Sequence, residues 1–188
     1  MNNDNLRGHN RIRCEIVTTQ EQLFHAYLVR AICFVDERGM ATSLIYDGND
    51  LQSTHVIVYD GKEPVGTVRI RWFKDFAEFE RTCFRKAWRH PRILQACAQF
   101  AFDHVARKGF DRVVTHASPL YARMWCRLLG FSEAEGKPPI HVAGHDEPYI
   151  ELVKELEPPT DVINRATDPT VVFRVEGAWD TPTEHEAA

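Results

Sequence analysis

Four consecutive stretches decide the fold: FAEFERTCF (76–84), RKAWRHPR (85–92), ILQACAQFAFDHVARKGF (93–110) and DRVVTH (111–116). The first predicts a strand with charge on both faces. The second is a loop with four Lys/Arg, one His and no acid. In the third, Leu94, Cys97, Ala98, Ala101 and Val105 share one helical face, while Gln95, Gln99, Asp103 and Arg107 share the opposite one. Gly109 stops that helix, with apolar Phe110 after it. DRVVTH predicts a short buried strand.

Outward from this strand–loop–helix–strand unit the pattern continues. Upstream, HVIVY (55–59) and PVGTVRIRWF (64–73) flank the turn pair Asp60-Gly61 and predict a hairpin. RIRCEIVT (11–18) predicts a first strand. Thr19 and Gln22 form a capping box, and apolar residues from Leu23 to Val35 recur at helical spacing. The polar stretch 36–52 between helix and hairpin has room for one short helix. Downstream, Ser118-Pro119 starts a helix that runs from Leu120 to Leu129 and stops at Gly130. PYIELVKEL (148–156) predicts a last strand. The order β-α-(α)-β-β-β-α-β-α-β-β requires an α/β (α+β) fold, a mixed sheet with helices on both faces. Pro158-Pro159 marks a linker, so residues 1–156 form one domain and 157–188 an extension. In the extension TVVFRVEGAW (170–179) predicts one strand, able to pair with another subunit's edge in a homodimer, and TPTEHEAA is a polar tail.

Composition narrows the function. The 188 residues carry a net charge of −4, which disfavours a cationic surface for nucleic acid. Five cysteines, with no C-x-x-C, suit reduced thiols and a cytoplasmic protein rather than a disulfide framework or zinc ribbon. The start, MNNDNLRGHNRIR, lacks the apolar core of a signal peptide, and no run is long enough for a membrane span. His141 and His145 are four apart, but nearby Pro138, Pro139, Gly144 and Pro148 break the helix that spacing would need, so no metal is expected. Ser118 lies near His116, but no G-x-S-x-G elbow exists. Glycine-rich dinucleotide and P-loop motifs are absent from the sequence.

Three constellations carry chemistry. Arg85, Lys86, Arg89 and Arg92 precede a helix N-terminus, where backbone N–H groups favour anions. They read equally as a phosphate site or as solvated surface charge. Glu78 and Glu80, two apart on a strand, share one face. They read as a general base with a carboxylate neighbour, or as partners of Arg81 and Arg85. Tyr121, Arg123 and Cys126 follow on the last helix, where a phenol or thiol could protonate a leaving group. The alternative for Cys126 is packing beside Leu120, Met124 and Leu128.

These pieces, over about 15–156, resemble the GNAT (GCN5-related N-acetyltransferase) superfamily. The resemblance is carried by VRAICFVDE (29–37), Asp47 and Asp50, PVGTVRIR (64–71), AEFER (77–81), the loop–helix 85–109 and ARMWCRLLGF (122–131). The front half is similar to acyl-homoserine-lactone (autoinducer) synthases and N-acyl amino acid synthases. It matches their Arg and Phe four apart (Arg30, Phe34), two Asp three apart (Asp47, Asp50), an Arg after the third strand's glycine (Arg69) and an E-x-x-R pair (Glu78, Arg81). Two departures stand out. The family's Q/R-x-x-G-x-G/A loop reads Arg89-His90-Pro91-Arg92-Ile93-Leu94, without the glycines that let phosphate approach the backbone. Cys126 stands where many acetyltransferases have a general-acid Tyr.

The resemblance implies a mostly antiparallel sheet of about seven strands. It also implies attack of an amine on a thioester, with acetyl-CoA, another acyl-CoA or an acyl-carrier-protein thioester as donor. Cys83, Phe84, Arg85, Lys86, Arg89, Arg92 and Ile93 would hold the donor, a backbone N–H near Cys83 or Phe84 polarising its carbonyl. Arg30, Phe34, Asp47, Asp50 and Arg69 would serve the substrate side. Glu78 is the expected base, Glu80 the second candidate and Cys126 the acid. The acceptor would be the amine of a small molecule, selected by residues 36–52 and 132–147. Trp72, Phe73, Phe76, Phe79 and Phe84 would line an acyl-chain pocket or fill the core. A non-catalytic binding module on the same scaffold is the alternative function, and the lost glycines and missing Tyr favour it.

Overall fold

The computed structural model describes residues 11–141 and 147–186. Residues 1–10 of the polar start, Gly144 and His145 lie outside the described residues. In chain order the elements are β1 (Ile12–Ile16), α1 (Gln20–Arg30), α2 (Thr42–Ile45), β2 (Thr54–Asp60), β3 (Glu63–Trp72), β4 (Ala77–Phe84) and α3 (Pro91–Arg107). There follow β5 (Arg112–Ala117), α4 (Pro119–Leu129), β6 (Ser132–Glu133), β7 (Ile150–Glu155) and a single turn, α5 (Pro169–Val172). The strands form one sheet in the order β1-β2-β3-β4-β5-β7-β6. β4 and β5 run parallel, whereas β1 and β2, β5 and β7, and β6 and β7 are antiparallel. The two-residue β6 was not foreseen, because so short a segment has no period to detect.

The chain divides into two compact units. One holds the described residues through Arg69 together with Arg81–Cys97; the other holds Ile70–Glu80 and the described residues from Ala98 onward. In the first, α1 begins at the predicted capping box: the Gln22 N–H donates to Thr19 Oγ1 (3.2 Å) and the Thr19 N–H to Gln22 Oε1 (3.1 Å). A wide helical turn, Ala31–Asp36, follows α1 directly. Apolar spacing locates this helix but not its inner face. Phe24 and Leu28 are exposed, while Ala26, Val29, Arg30 and Cys33 are buried. Ala26, Val29, Cys33 and Phe34 pack with Ile45, Ile57, Tyr59 and Cys83.

Phe84 is buried flat against β3. A Cβ built on Gly66 would lie 2.3 Å from two atoms of its ring, so only glycine permits this approach.

In the second unit the core is aromatic. Phe79 stacks on Phe102 (5.4 Å between centroids), which meets Phe131, which meets Trp125 edge-on. Phe73 stacks on Phe76, and Trp72 packs on Phe110. The aromatic residues considered for a chain pocket therefore pack against neighbouring side chains. Gly109, at φ +86°, ends α3 in the left-handed conformation its position requires. Pro119 starts α4 as expected, but the Ser118 hydroxyl makes no capping hydrogen bond.

The extension corrects one expectation: TVVFRVEGAW is not a strand. Asp168 caps α5 by accepting from the Thr170 N–H (2.8 Å), and Pro169 occupies the first helical position. Beyond it Arg174 is bound by Glu186 and by the Trp179 carbonyl, and Glu176 by Lys108 at 2.8 Å. These side-chain anchors hold turns rather than an extended ladder. The Asp-Pro pair is the helix-start signal that outweighed the alternation. An edge for pairing with another subunit is thus lost at this segment. Trp179 is buried and stacks on His104, 5.3 Å between centroids.

The Gly66–Phe84 contact yields a test. Gly66→Ala forces the ring or strand to shift, with an expected cost of about 1–3 kcal/mol. A thermal melt should show a clear drop in Tm. An unchanged Tm would mean that the ring has room the geometry denies.

Candidate active site

Residues 42–52 carry Asp47 and Asp50, and three arginines from regular elements hold them. Arg30, on α1, donates to Asp50 Oδ1 (2.7 Å), Asp50 Oδ2 (3.0 Å) and the Ile45 carbonyl (2.6 Å). Arg69, on β3, grips Asp47 with two bonds (2.7 and 2.8 Å) and reaches Asp50 Oδ1 at 3.0 Å. Arg81, on β4, donates to the Leu44 carbonyl (2.8 Å) and to Asp47 Oδ2 (2.9 Å). Arg30 and Arg69 are both 0% exposed. His55 lies 2.9 Å from the Asp50 carbonyl, and burial pushes its pKa down, so a neutral ring donates that bond. The hydrogen bond from Arg69 holds the Asp47 carboxyl well below the usual range. Burial works against ionisation of Asp50, but Arg30 and then Arg69 still hold it low. Four of the five residues assigned to the substrate side are therefore gathered in one network. The fifth, Phe34, is buried in the adjoining core.

Arg81 sits at φ +52°, the one described non-glycine residue with positive φ. Its bonds to residues 44–47 hold that conformation, which costs about 1–3 kcal/mol.

The basic loop after β4 is sorted by its partners. Arg85 is paired with Glu63 and lies over the Trp88 ring. Arg89 is paired with Glu37 and donates to the Phe84 carbonyl (2.9 Å). No acid pairs with Lys86 or Arg92 among the described residues, and both are exposed. The ring Nδ1 of His90 accepts from the Arg92 N–H at 3.2 Å. Pro91 has no N–H, so the first turn of α3 offers less bare backbone to an anion than its position suggests. Cys83, Phe84 and Ile93 are buried.

In the second unit, Glu78 and Glu80 have different partners. Glu80 Oε1 lies 3.6 Å from Arg71. Glu78 Oε1 lies 3.0 Å from Nδ1 of His116 on β5. The other ring nitrogen, Nε2, is 3.4 Å from Glu151 Oε2 on β7, and Glu151 lies 3.7 Å from Lys137. The hydrogen bond to Glu78 raises the His116 pKa against the opposing effect of burial, and both carboxylates add to the rise. Sequence reasoning considered His116 only beside Ser118. Its link to Glu78 arises because Glu78 pairs with Val114 in the parallel ladder, which puts residue 116 diagonally across. Cys126, on α4, is partly exposed; burial first and Glu133 second push its thiol up, so it remains protonated. Among the described residues no cluster of three His, Cys, Asp or Glu is placed to hold a metal, and no helix is long and apolar enough to cross a membrane.

The arginine–aspartate network gives a pH test. Both carboxyls lie lower in the folded chain than in the unfolded one. Their ionisation therefore stabilises the fold above the ordinary carboxylate value near ~4, and that contribution is lost as pH falls below it. Asp50→Asn keeps the shape but leaves a buried arginine unpaired, for an expected loss of about 3–5 kcal/mol in denaturant titration at neutral pH. Its stability should also fall less steeply than the parent's on acidification. A loss of only a few tenths would show that the segment is held by other contacts.

No family model matches the chain. It is similar to the uncharacterized N-acetyltransferase YjcF of Bacillus subtilis (strain 168), with 31% identity over 126 residues, 65% of this chain and 90% of YjcF. Its fold is similar to that of FeeM, an N-acyl amino acid synthase from uncultured soil microbes: TM-score 0.65, 14% identity, covering 78% of this chain and 91% of FeeM. A GNAT family acetyltransferase from Elizabethkingia anophelis, with acetyl-CoA bound, aligns with TM-score 0.61 and 14% identity over 78% of this chain and 99% of its own. A seven-stranded sheet with this strand order, and a relative matched over nine-tenths of its length, place the chain in the GNAT N-acetyltransferase superfamily.

Proposed function

We propose that the chain is an N-acyltransferase that moves an acyl group from a thioester donor to the amine of a small molecule. The observation that carries the reading is the partly buried Glu78 carboxylate, carried on β4, the strand that leads into the basic loop, and held by His116 of β5. Attack on a thioester needs a neutral amine, because an ammonium has no lone pair, and Glu78 is the group that removes the proton. Glu80 is the less suited candidate, since it faces Arg71. Cys126, kept protonated, could supply a proton to the departing thiolate, which is itself a good leaving group.

Acyl-CoA is the leading donor, supported by the acetyl-CoA carried by the Elizabethkingia neighbour. Lys86 and Arg92 would take its phosphates through side chains, because His90 and Pro91 limit the backbone cradle. Arg85 and Arg89 are engaged with Glu63 and Glu37 and would shape the loop. The same exposed cations would suit an acidic carrier protein, which makes an acyl-carrier thioester the second donor. FeeM supports an amine-bearing small molecule as acceptor. The capped start of α3 is also what favours the alternative, a binding module that no longer turns over. We place the protein in the cytoplasm, in keeping with its free cysteines.

Thiol release from acetyl-CoA and from an acyl-carrier thioester, with a panel of primary amines, separates the two functions. Release that depends on amine supports the transferase, and none with either donor supports the module. In an active enzyme, Glu78→Gln should lower kcat by about 10²-fold or more with little change in donor affinity. An unaltered kcat removes Glu78 from the role. Lys86→Ala with Arg92→Ala should weaken donor binding several-fold at low salt and much less at high salt. Equal affinity in parent and variant would reduce the loop to surface charge.

A further inference from the structure

The ring of His116 has a carboxylate at each nitrogen: Glu78 from β4 at Nδ1 and Glu151 from β7 at Nε2. Lys137, in the chain between β6 and β7, faces the far oxygen of Glu151. Among the described residues Glu78 and Glu151 are the acids within ion-pair distance of the ring, and Lys137 reaches it through Glu151. The ring is half-buried, with 27% of its side chain exposed, so it can exchange protons with water. A histidine serving only to tie strands together needs one carboxylate; here the second sits where a ring cation would need it.

We propose that His116 is a positioning residue for amine deprotonation: it takes over the proton that Glu78 receives, and Glu151 holds the imidazolium that results. The proposal rests on the transferase reading above. The competent form is neutral His116 with its Nε2–H donated to Glu151, so that Nδ1 accepts a hydrogen bond as soon as Glu78 gains a proton. An acceptor ammonium gives one proton to the Glu78 carboxylate, which passes it to Nδ1 and is again a carboxylate. The amine lone pair forms a bond to the thioester carbonyl carbon. The carbon–sulfur bond then breaks and its electron pair leaves on sulfur. That thiolate takes the thiol proton of Cys126, and Cys126 is restored by the second proton from nitrogen. The products are an amide, a thiol and one proton on His116, which water removes before the next turnover. Because neutral His116 is required, the rate should rise with pH through the value of this histidine.

Neighbours of opposite charge then predict shifts of opposite sign. Glu151→Gln removes the carboxylate that favours the imidazolium, so the rising limb of kcat against pH should move down by about one unit. Lys137→Gln removes a competing cation and should move it up. That side chain is 60% exposed, so the variant should fold even if Glu151→Gln does not. His116→Gln should lower kcat about tenfold or more and abolish this limb. The measurement is acetyl-CoA turnover from pH 5 to 9 with the fastest primary amine of the panel, whose own titration is common to all variants. A limb that stays in place in both Glu151→Gln and Lys137→Gln, in enzymes that still turn over, overturns the role of His116 and leaves the transferase reading standing. A parent enzyme inactive with every donor overturns the reading and this proposal together.

Discussion

Two arginines without exposed surface, Arg30 and Arg69, set the constraint on which one unit of this molecule depends. A buried guanidinium must be matched by oxygen atoms in fixed positions, since an unmatched one loses its hydration without compensation. Residues 42–52 supply those oxygens, and neither the carboxylates nor the Ile45 carbonyl could be moved without leaving a buried cation unpaired. A segment with little regular structure is thereby fixed against α1 and β3. Arg81 extends the same network from β4, and its left-handed backbone is tolerable because its guanidinium is held at the Leu44 carbonyl and Asp47. Strand, helix and loop are thus tied through charge where apolar packing alone would allow a slide.

The same residue types behave differently in the two units, and coordination explains why. Asp50 is nearly buried and accepts from two arginines. With its lone pairs occupied and its carboxyl held low, it has no capacity to take a proton near neutrality. Glu78 faces a ring nitrogen and retains some exposure. A carboxylate that faces a titratable group, rather than a permanent cation, can gain and pass a proton without breaking a structural pair. The distinction between a fastening and a chemical group lies in that difference, not in the presence of charge.

Much of the fold could be read from the sequence because its signals are local. The capping box, the Asp60-Gly61 hairpin, the amphipathic α3 and its glycine stop each involve residues within a few positions of one another. The gathering of Arg30, Asp47, Asp50 and Arg69 followed from a family resemblance, because nothing local says that residues about 20 apart will share a buried site. Apolar spacing does not give the inner face of α1, for a related reason. Apolar periodicity assumes an apolar interior, whereas Arg30 faces inward and Phe24 outward. His116 was hidden because its partner Glu78 is 38 positions away and is reached through a parallel ladder.

The extension shows how side-chain anchors can outweigh strand alternation. VVFRV has a strand's composition, yet Phe173 is 85% exposed and the turn around it is held by Arg174 and Asp168. What docks the segment is farther along, at Glu176 and Trp179. Contact with His104, then the bond from Lys108, holds the Glu176 carboxyl at about 2, so it is ionised near neutrality. Lys108 also lies 4.7 Å from the Trp72 ring, and Arg107 is paired with Asp161 and Asp180. The C-terminal turn of α3 therefore presents three groups, His104, Arg107 and Lys108, each engaged by an acid of the extension. Basic residues at a helix C-terminus are favoured by the helix dipole whether or not anything covers them. An acidic strap placed there adds partners to charges the helix already prefers, which explains how residues beyond a proline linker become part of this unit without a strand to join the sheet.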